Sequence, residues 1–157
     1  MRKIDQLLTE YGESHQNVTN KTIHWICVPL IFFSIVGMIA SIPSAALHSV
    51  YESPLANWAV IALVLVLMYY VSLSIPLSIG MTIFSFICLY GARWISHLGL
   101  APLWVVCLII FVLAWIGQFY GHSVEGKKPS FFKDLQFLLI GPAWLMHFIY
   151  KRLGISY

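Results

Sequence analysis

The chain has 157 residues, 60% of them hydrophobic and 10% charged, and nine basic against six acidic residues give a net charge of +3. Soluble domains have about 45–50% apolar and about 25% charged residues, so this chain has too little polar surface to cover a water-exposed globule. The composition excludes a disordered chain, a nucleic-acid-binding domain and an ordinary soluble enzyme. It predicts a single integral membrane domain over residues 1–157.

The N-terminal segment predicts a short amphipathic helix. Its apolar residues Ile4, Leu7, Leu8 and Tyr11 recur at the spacing of one helical face, and Gly12 is placed to end the helix. We expect this helix to lie in the membrane interface, beside the bilayer rather than through it.

Longer apolar runs follow. Residues 25–42 and 98–120 carry no charge and are each long enough for one span. The 38 uncharged residues of 55–92 would form roughly 57 Å of helix, nearly twice a hydrocarbon core of about 30 Å. This run must fold back, and Ser74-Ile75-Pro76 is the natural break. The sequence predicts an all-α bundle of four transmembrane helices, near residues 24–42, 56–74, 77–93 and 101–122.

The C-terminal segment 131–150 is apolar but short. Lys133 and Asp134 stand at its start, Gly141-Pro142 interrupts it, and only 16 uncharged residues remain from Leu135 onwards. We therefore expect an interfacial or re-entrant pair of half-helices rather than a fifth span.

The basic residues are segregated by side. With four spans, only Arg93 lies opposite the termini, and the other eight share the side of the termini: Arg2, Lys3, Lys21, Lys127, Lys128, Lys133, Lys151 and Arg152. Lysine and arginine flank the cytoplasmic side of membrane proteins. Both termini are therefore predicted to be cytoplasmic, in a bacterial inner membrane or the endoplasmic reticulum.

A first polar cluster surrounds the entry of the first span. Asn17, Asn20, Lys21 and His24 form a stripe at i, i+3, i+4 and i+7. His15 precedes His24 by nine residues, which is about half a turn out of phase in one unbroken helix. The two imidazoles can share a ligand only if the chain bends between them, and Asn17 is placed to cap a helix that begins after such a bend.

A second cluster lies at the exit of the fourth span, where Gln118, His122 and Glu125 stand at i, i+4 and i+7. Both clusters belong to the same membrane face, and the first and last helices of a four-helix bundle can be neighbours. Buried polar residues at membrane depth are costly and tend to mark sites. Imidazoles with few carboxylates suit iron, zinc or copper, so we predict that His15, His24 and His122 share one metal ion.

Other polar residues have less definite interpretations. Glu125 can be a metal ligand, a hydrogen-bond partner for an imidazole N–H, or an exposed residue at the helix end, and the sequence leaves these three open. His48 and His97 lie in the expected outer loops and are interpreted as hydrated interfacial residues.

The two clusters resemble the motifs of the yeast-type 2-hydroxy fatty acid dioxygenase family, small membrane proteins of phytosphingosine breakdown. The entry motif of that family is matched here by Tyr11, His15, Asn17, Asn20, His24 and Pro29. Its second motif is matched by Gln118, Phe119, Gly121, His122, Glu125 and Pro129, with one residue fewer before the proline. A looser match surrounds Pro142, six residues after which the family often has an acidic residue. This chain has Phe148 there, with His147 beside it.

The resemblance implies an Fe(II)-dependent dioxygenase that uses O₂ to shorten a 2-hydroxy fatty acid by one carbon. It implies histidine ligands to iron, with His15, His24, His122 and Glu125 carrying the chemistry and His147 as a possible further ligand. Asn17, Asn20, Lys21 and Gln118 are the candidates for contacts with the substrate, whose acyl tail would lie in the bundle or the lipid. Two alternatives stay open. A membrane zinc hydrolase would use Glu125 as general base, and a non-enzymatic four-helix adaptor or carrier would bind no metal.

Overall fold

The computed structural model describes residues 2–49, 56–126 and 137–156, and the regular structure in these ranges is entirely α-helical. The seven helices are α1 Lys3–Glu13, α2 Val18–Ala40, α3 Ala45–His48, α4 Trp58–Leu73, α5 Ile75–Leu98, α6 Leu103–Val124 and α7 Ile140–Leu153. The all-α prediction is confirmed for this part of the chain.

Three of the helices are long and apolar enough to cross a membrane: α2 with 23 residues, α5 with 24 and α6 with 22. Helix α4 is equally apolar but has 16 residues, about 24 Å against a hydrocarbon core of about 30 Å. Each of the four predicted spans thus coincides with a helix, and three of the four have the length of a full span.

The predicted break in the long apolar run is confirmed at Ser74. Its backbone is extended (φ −166°, ψ 121°), and its hydroxyl accepts a hydrogen bond from the Leu77 backbone N–H at 3.3 Å. Pro76 occupies the first turn of α5, where a missing N–H leaves no helical hydrogen bond unmade. Helices α4 and α5 therefore pack side by side as a hairpin.

Helices α2 and α6 pack closely in antiparallel directions. Near the start of α6, Cys107 contacts Gly37 of α2, and near its end Gly121 faces Asn20 at the start of α2. A Cβ atom on Gly121 would lie 2.5 Å from Asn20 Oδ1, so only glycine allows the two backbones to approach this closely. This approach brings the first turns of α2 beside the last turn of α6.

Helix α1 is amphipathic, as predicted, and ends at Glu13, one residue after Gly12. Its apolar face, however, is covered by protein rather than open to lipid. Ile4, Leu8 and Tyr11 are buried in one core cluster with Trp144 of α7. The C-terminal segment folds back over this face, and the placement of α1 in the membrane interface stays a prediction.

In the described part of the C-terminal segment, from residue 137 onwards, a helix begins at Ile140, directly before Gly141-Pro142. Both residues lie in the first turn of α7, where proline is tolerated because that N–H has no intrahelical partner. This helix corresponds to the second of the two predicted half-helices. The first falls largely on residues 131–136, which lie outside the described residues, so the pair stays a prediction. Tyr150 anchors α7 to α5, since its hydroxyl donates to the Pro76 carbonyl at 2.6 Å and accepts from the Gly80 N–H at 3.0 Å.

Candidate metal centre

Three histidines converge at the end of the bundle where α2 begins and α6 ends. His15 lies between α1 and α2, His24 in the second turn of α2, and His122 in the last turn of α6. Each offers a ring nitrogen, and the three nitrogens all lie within 4.8 Å of one another. The residues are 2%, 0% and 4% exposed, respectively. The structure therefore brings together the three histidines that the sequence singled out.

The chain bends between His15 and His24, as their spacing required. Helix α1 ends at Glu13 and α2 begins at Val18. Asn17 caps α2, since its side-chain oxygen accepts hydrogen bonds from the N–H groups of Thr19 at 2.8 Å and Asn20 at 3.4 Å. The predicted cap is confirmed, and the bend turns the two imidazoles toward each other with ring centroids 4.2 Å apart.

Backbone carbonyls orient two of the three imidazoles. His15 Nδ1 lies 2.6 Å from the Tyr11 carbonyl oxygen, and His24 Nδ1 lies 2.9 Å from that of Asn20. A carbonyl oxygen only accepts, so each Nδ1 is assigned the proton and each Nε2 the lone pair. The Nε2 atoms of His15, His24 and His122 are buried. This is the arrangement that orients histidine ligands in metal sites.

The three histidines fit a transition-metal ion. Nitrogens bound at about 2.1 Å to one ion can be at most about 4.2 Å apart, so a small inward movement of the rings suffices. Neutral imidazoles suit iron, zinc or copper, whereas magnesium and calcium prefer oxygen ligands. Within the described ranges no carboxylate joins the group.

Glu125 ties the two halves of the centre together. Its carboxylate accepts hydrogen bonds from the backbone N–H groups of Gln16 at 2.9 Å and Asn17 at 2.9 Å, and from Asn20 Nδ2 at 2.9 Å. Burial alone would raise its pKa, but these hydrogen bonds outweigh burial and lower the pKa of Glu125 below its ordinary value. Glu125 is thus ionised at neutral pH and pins the His15 loop to the end of α6.

Aromatic rings cover the outer side of His15. Tyr11 stacks on its imidazole with ring centroids 4.3 Å apart and an angle of 15° between the planes, and the ring of Trp144 lies 5.4 Å away. Sequence reasoning missed Trp144, because no spacing relates a residue of the last helix to the first histidine. These rings shield the centre from water on the side of α1 and α7.

The comparison with family models follows this geometry. The model of the family described as 2-hydroxy-palmitic acid dioxygenase Mpo1-like matches residues 1–102 and 98–153. The chain belongs to this Mpo1-like family. No curated protein and no solved structure matches the chain. The matched ranges include all three converging histidines, so the centre lies within the part of the chain that defines the membership.

Other predicted site residues of this Mpo1-like chain lie around the centre. Gln118, one turn before His122, is buried and lines a cavity of about 20 Å³ beside Tyr11 and Trp115, about the space of one water molecule. Lys21 is half-buried in the first turn of α2. Pro129 and the lysines of 127–133 lie outside the described residues.

The remaining histidines are not brought to the centre. His147 lies outside the group of three and lines a groove with Asp5, Thr9 and Trp144. Burial and the neighbouring charge of Lys151 lower its pKa, against a weaker raising effect of Asp5. His48 and His97 are exposed at the ends of α3 and α5, in agreement with their interpretation as hydrated residues.

Proposed function

We propose that this protein is an Fe(II)-dependent dioxygenase that cleaves 2-hydroxy fatty acids between C1 and C2. The observation that carries the proposal is the buried convergence of His15, His24 and His122 in a chain of the Mpo1-like family, whose description names a 2-hydroxy-palmitic acid dioxygenase. The apolar helices around the centre suit a lipid substrate better than a polar one.

The proposed reaction balances without a further reductant. One 2-hydroxy fatty acid and one O₂ give the fatty acid shorter by one carbon, carbon dioxide and water. Conversion of the hydroxy acid to the shorter acid releases four electrons, and one O₂ accepts four when its atoms end in the products. An organic cofactor is therefore not required by the stoichiometry.

In the proposed reaction, different residues would bind the iron, exclude water and position the ligands. His15, His24 and His122 would hold the iron, which supplies Lewis acidity and one-electron chemistry toward O₂ and a chelating 2-hydroxycarboxylate. Tyr11 and Trp144 exclude water beside His15. Glu125 keeps the ligand-bearing segments in register.

Among the predicted substrate contacts, the structure favours two. Asn17 and Asn20 are engaged with the start of α2 and with Glu125, so we assign them to positioning of the histidines. Gln118 and Lys21 line cavities near the centre and remain our candidates for polar contacts with the substrate.

The hydrogen bonds and burial at the centre argue against the two alternative functions, a zinc hydrolase and a non-enzymatic adaptor. A zinc hydrolase would need Glu125 as general base, but this carboxylate already accepts hydrogen bonds from Gln16, Asn17 and Asn20, which weakens it as a base. An adaptor would gain nothing from three buried imidazoles, whose burial is costly without a function.

The decisive assay uses protein purified without oxygen, loaded with ferrous iron and given 2-hydroxypalmitate and air in detergent. We expect the C15 acid by mass spectrometry, no product from palmitate, and inhibition by zinc, which binds such sites tightly but has no redox chemistry. Absence of the C15 acid from iron-loaded protein would refute this substrate. Zinc-dependent lipid hydrolysis without oxygen would instead support the hydrolase.

We further propose four spans with both termini in the cytoplasm, since eight of nine basic residues lie on the side of the termini. Single cysteines at two exposed positions, Glu10→Cys and Ser96→Cys, test this in a background without the three native cysteines. A membrane-impermeant thiol reagent should label position 96 and spare position 10 in intact cells. Labelling of both, or of position 10 alone, would contradict this topology.

A further inference from the structure

A cavity of about 820 Å³ opens between the first turns of α2 and the last turns of α7. We call it the α2–α7 groove. Its lining combines three basic with three aromatic side chains: Lys21, Lys151, Arg152, Trp25, Trp144 and Phe148. No acidic residue is among the described side chains that line it. The groove thus offers positive charge beside an apolar wall.

The lining residues are ordered along both helices. On α2, Lys21 precedes Trp25 by one turn, and on α7 Arg152 follows Phe148 by one turn. The rings of Trp25 and Phe148 are 6.4 Å apart across the groove. The basic groups therefore stand together at one end, with aromatic rings one turn further along.

Trp144 separates the groove from the candidate metal centre. Its ring contacts Phe148 edge-on at 4.7 Å on one side and lies 5.4 Å from the imidazole of His15 on the other. A molecule held in the groove is therefore one side chain away from the histidines.

We propose that the α2–α7 groove binds a single-chain fatty acid by its carboxylate. The carboxylate end then moves past Trp144 to the histidines. Lys21, Lys151 and Arg152 hold the carboxylate through charge-assisted hydrogen bonds, and the acyl chain lies against Trp25 and Phe148. Positive charge that converges beside an apolar wall also attracts anionic amphiphiles from the membrane surface. The proposal rests on the proposed function for its substrate class, and the position of the groove one side chain away from the histidines favours a fatty acid over a phospholipid head group.

The test measures binding to metal-free protein, so that chelation plays no part. The probe is dibromopalmitate, whose bromine atoms quench tryptophan fluorescence, and unlabelled palmitate displaces it. We expect saturable quenching, with affinity lowered about fivefold in Lys151→Gln/Arg152→Gln, as the loss of two exposed charge contacts implies. The control Arg93→Gln, at an exposed position at the opposite end of the bundle, should bind like the wild type. The methyl ester of the probe should not bind saturably.

Three outcomes would overturn the proposal. These are equal affinity in the double variant and in Arg93→Gln, equal binding of the methyl ester, or loss of affinity only for vesicles of anionic phospholipid, which would make the groove a head-group site. In turnover, the double variant should raise KM and leave kcat within twofold. Because the binding assay uses no metal, no O₂ and no 2-hydroxyl, a failed dioxygenase assay would leave its result intact.

Discussion

At one end of the bundle, His15, His24 and His122 are buried and face one another. At the other end, His48 and His97 are exposed and lie apart from this group. The residue type is the same, so the difference lies in the neighbours. Backbone carbonyls orient the imidazoles of His15 and His24, whereas the rings of His48 and His97 are exposed to water. A buried polar group persists only when its hydrogen bonds are made inside the protein.

The largest expected effect comes from removal of one converging imidazole. His24→Ala should abolish stoichiometric binding of ferrous iron, because the site would keep two of its three nitrogen ligands. His97→Ala removes an exposed imidazole at the other end and should bind iron like the wild type. Metal analysis of anaerobically purified, iron-loaded protein checks both variants. Full iron content in folded His24→Ala would show that His24 is not an iron ligand, and would contradict the proposed difference between the two ends of the bundle.

A smaller effect is expected from the carboxylate that joins the two halves of the centre. In Glu125→Gln the amide group keeps the shape but loses the charge that draws the N–H groups of Gln16 and Asn17. Loss of such a supporting partner costs about 10–100-fold in metal affinity, so we expect a weakening of at least about tenfold. Competition with a chelator measures it.

The control for this variant is Glu10→Gln, an exposed carboxylate on α1, which should leave metal affinity unchanged. If both variants bind metal like the wild type, the charge of Glu125 does not support the metal centre. Catalysis by a general base would show a different signature, with full metal content and a lost acidic limb in the pH profile.

The third expected effect distinguishes the two ends of the same helix pair. Gly121→Ala would press a methyl group against Asn20 Oδ1, and Gly37→Ala would press one against Cys107 Sγ. Both should destabilise by about 1–3 kcal/mol, as overpacking does. Only Gly121→Ala should also weaken metal binding several-fold, because it displaces Asn20 from Glu125. Thermal unfolding and metal titration in detergent separate the two effects. Equal metal affinity in the two glycine variants would contradict an effect of Gly121 on the centre through Asn20 and Glu125.

The helices and the break at Ser74 could be predicted from the sequence, because the composition and spacing of nearby residues determine both. It also reached the bend before Asn17, since two histidines half a turn apart cannot otherwise face each other. These inferences need only the geometry of one helix and the thickness of a membrane.

The packing of α7 could not be derived in the same way. Nothing in the spacing of Ile4, Leu8 and Tyr11 tells whether lipid or protein covers them, and the answer depends on a helix from the far end of the chain. The same holds for Trp144 beside His15. For Glu125 the sequence left three roles open. Hydrogen bonds from residues over a hundred positions away favour a fourth role, in which its carboxylate holds the segment around His15 against the end of α6.

The smallest expected effect compares two helix caps of the same residue type. Asn17 caps α2 at the centre, and Asn57 caps α4 at the opposite end, where its side chain accepts from the Ala59 N–H at 2.7 Å. Replacement of either by alanine should cost about 1 kcal/mol of stability. Only Asn17→Ala should also lower metal affinity, by a few-fold, because the cap holds the bend that turns His15 toward His24. Chelator competition and thermal unfolding of both variants check this, and parallel losses of affinity would mean that the centre responds to overall stability rather than to the bend.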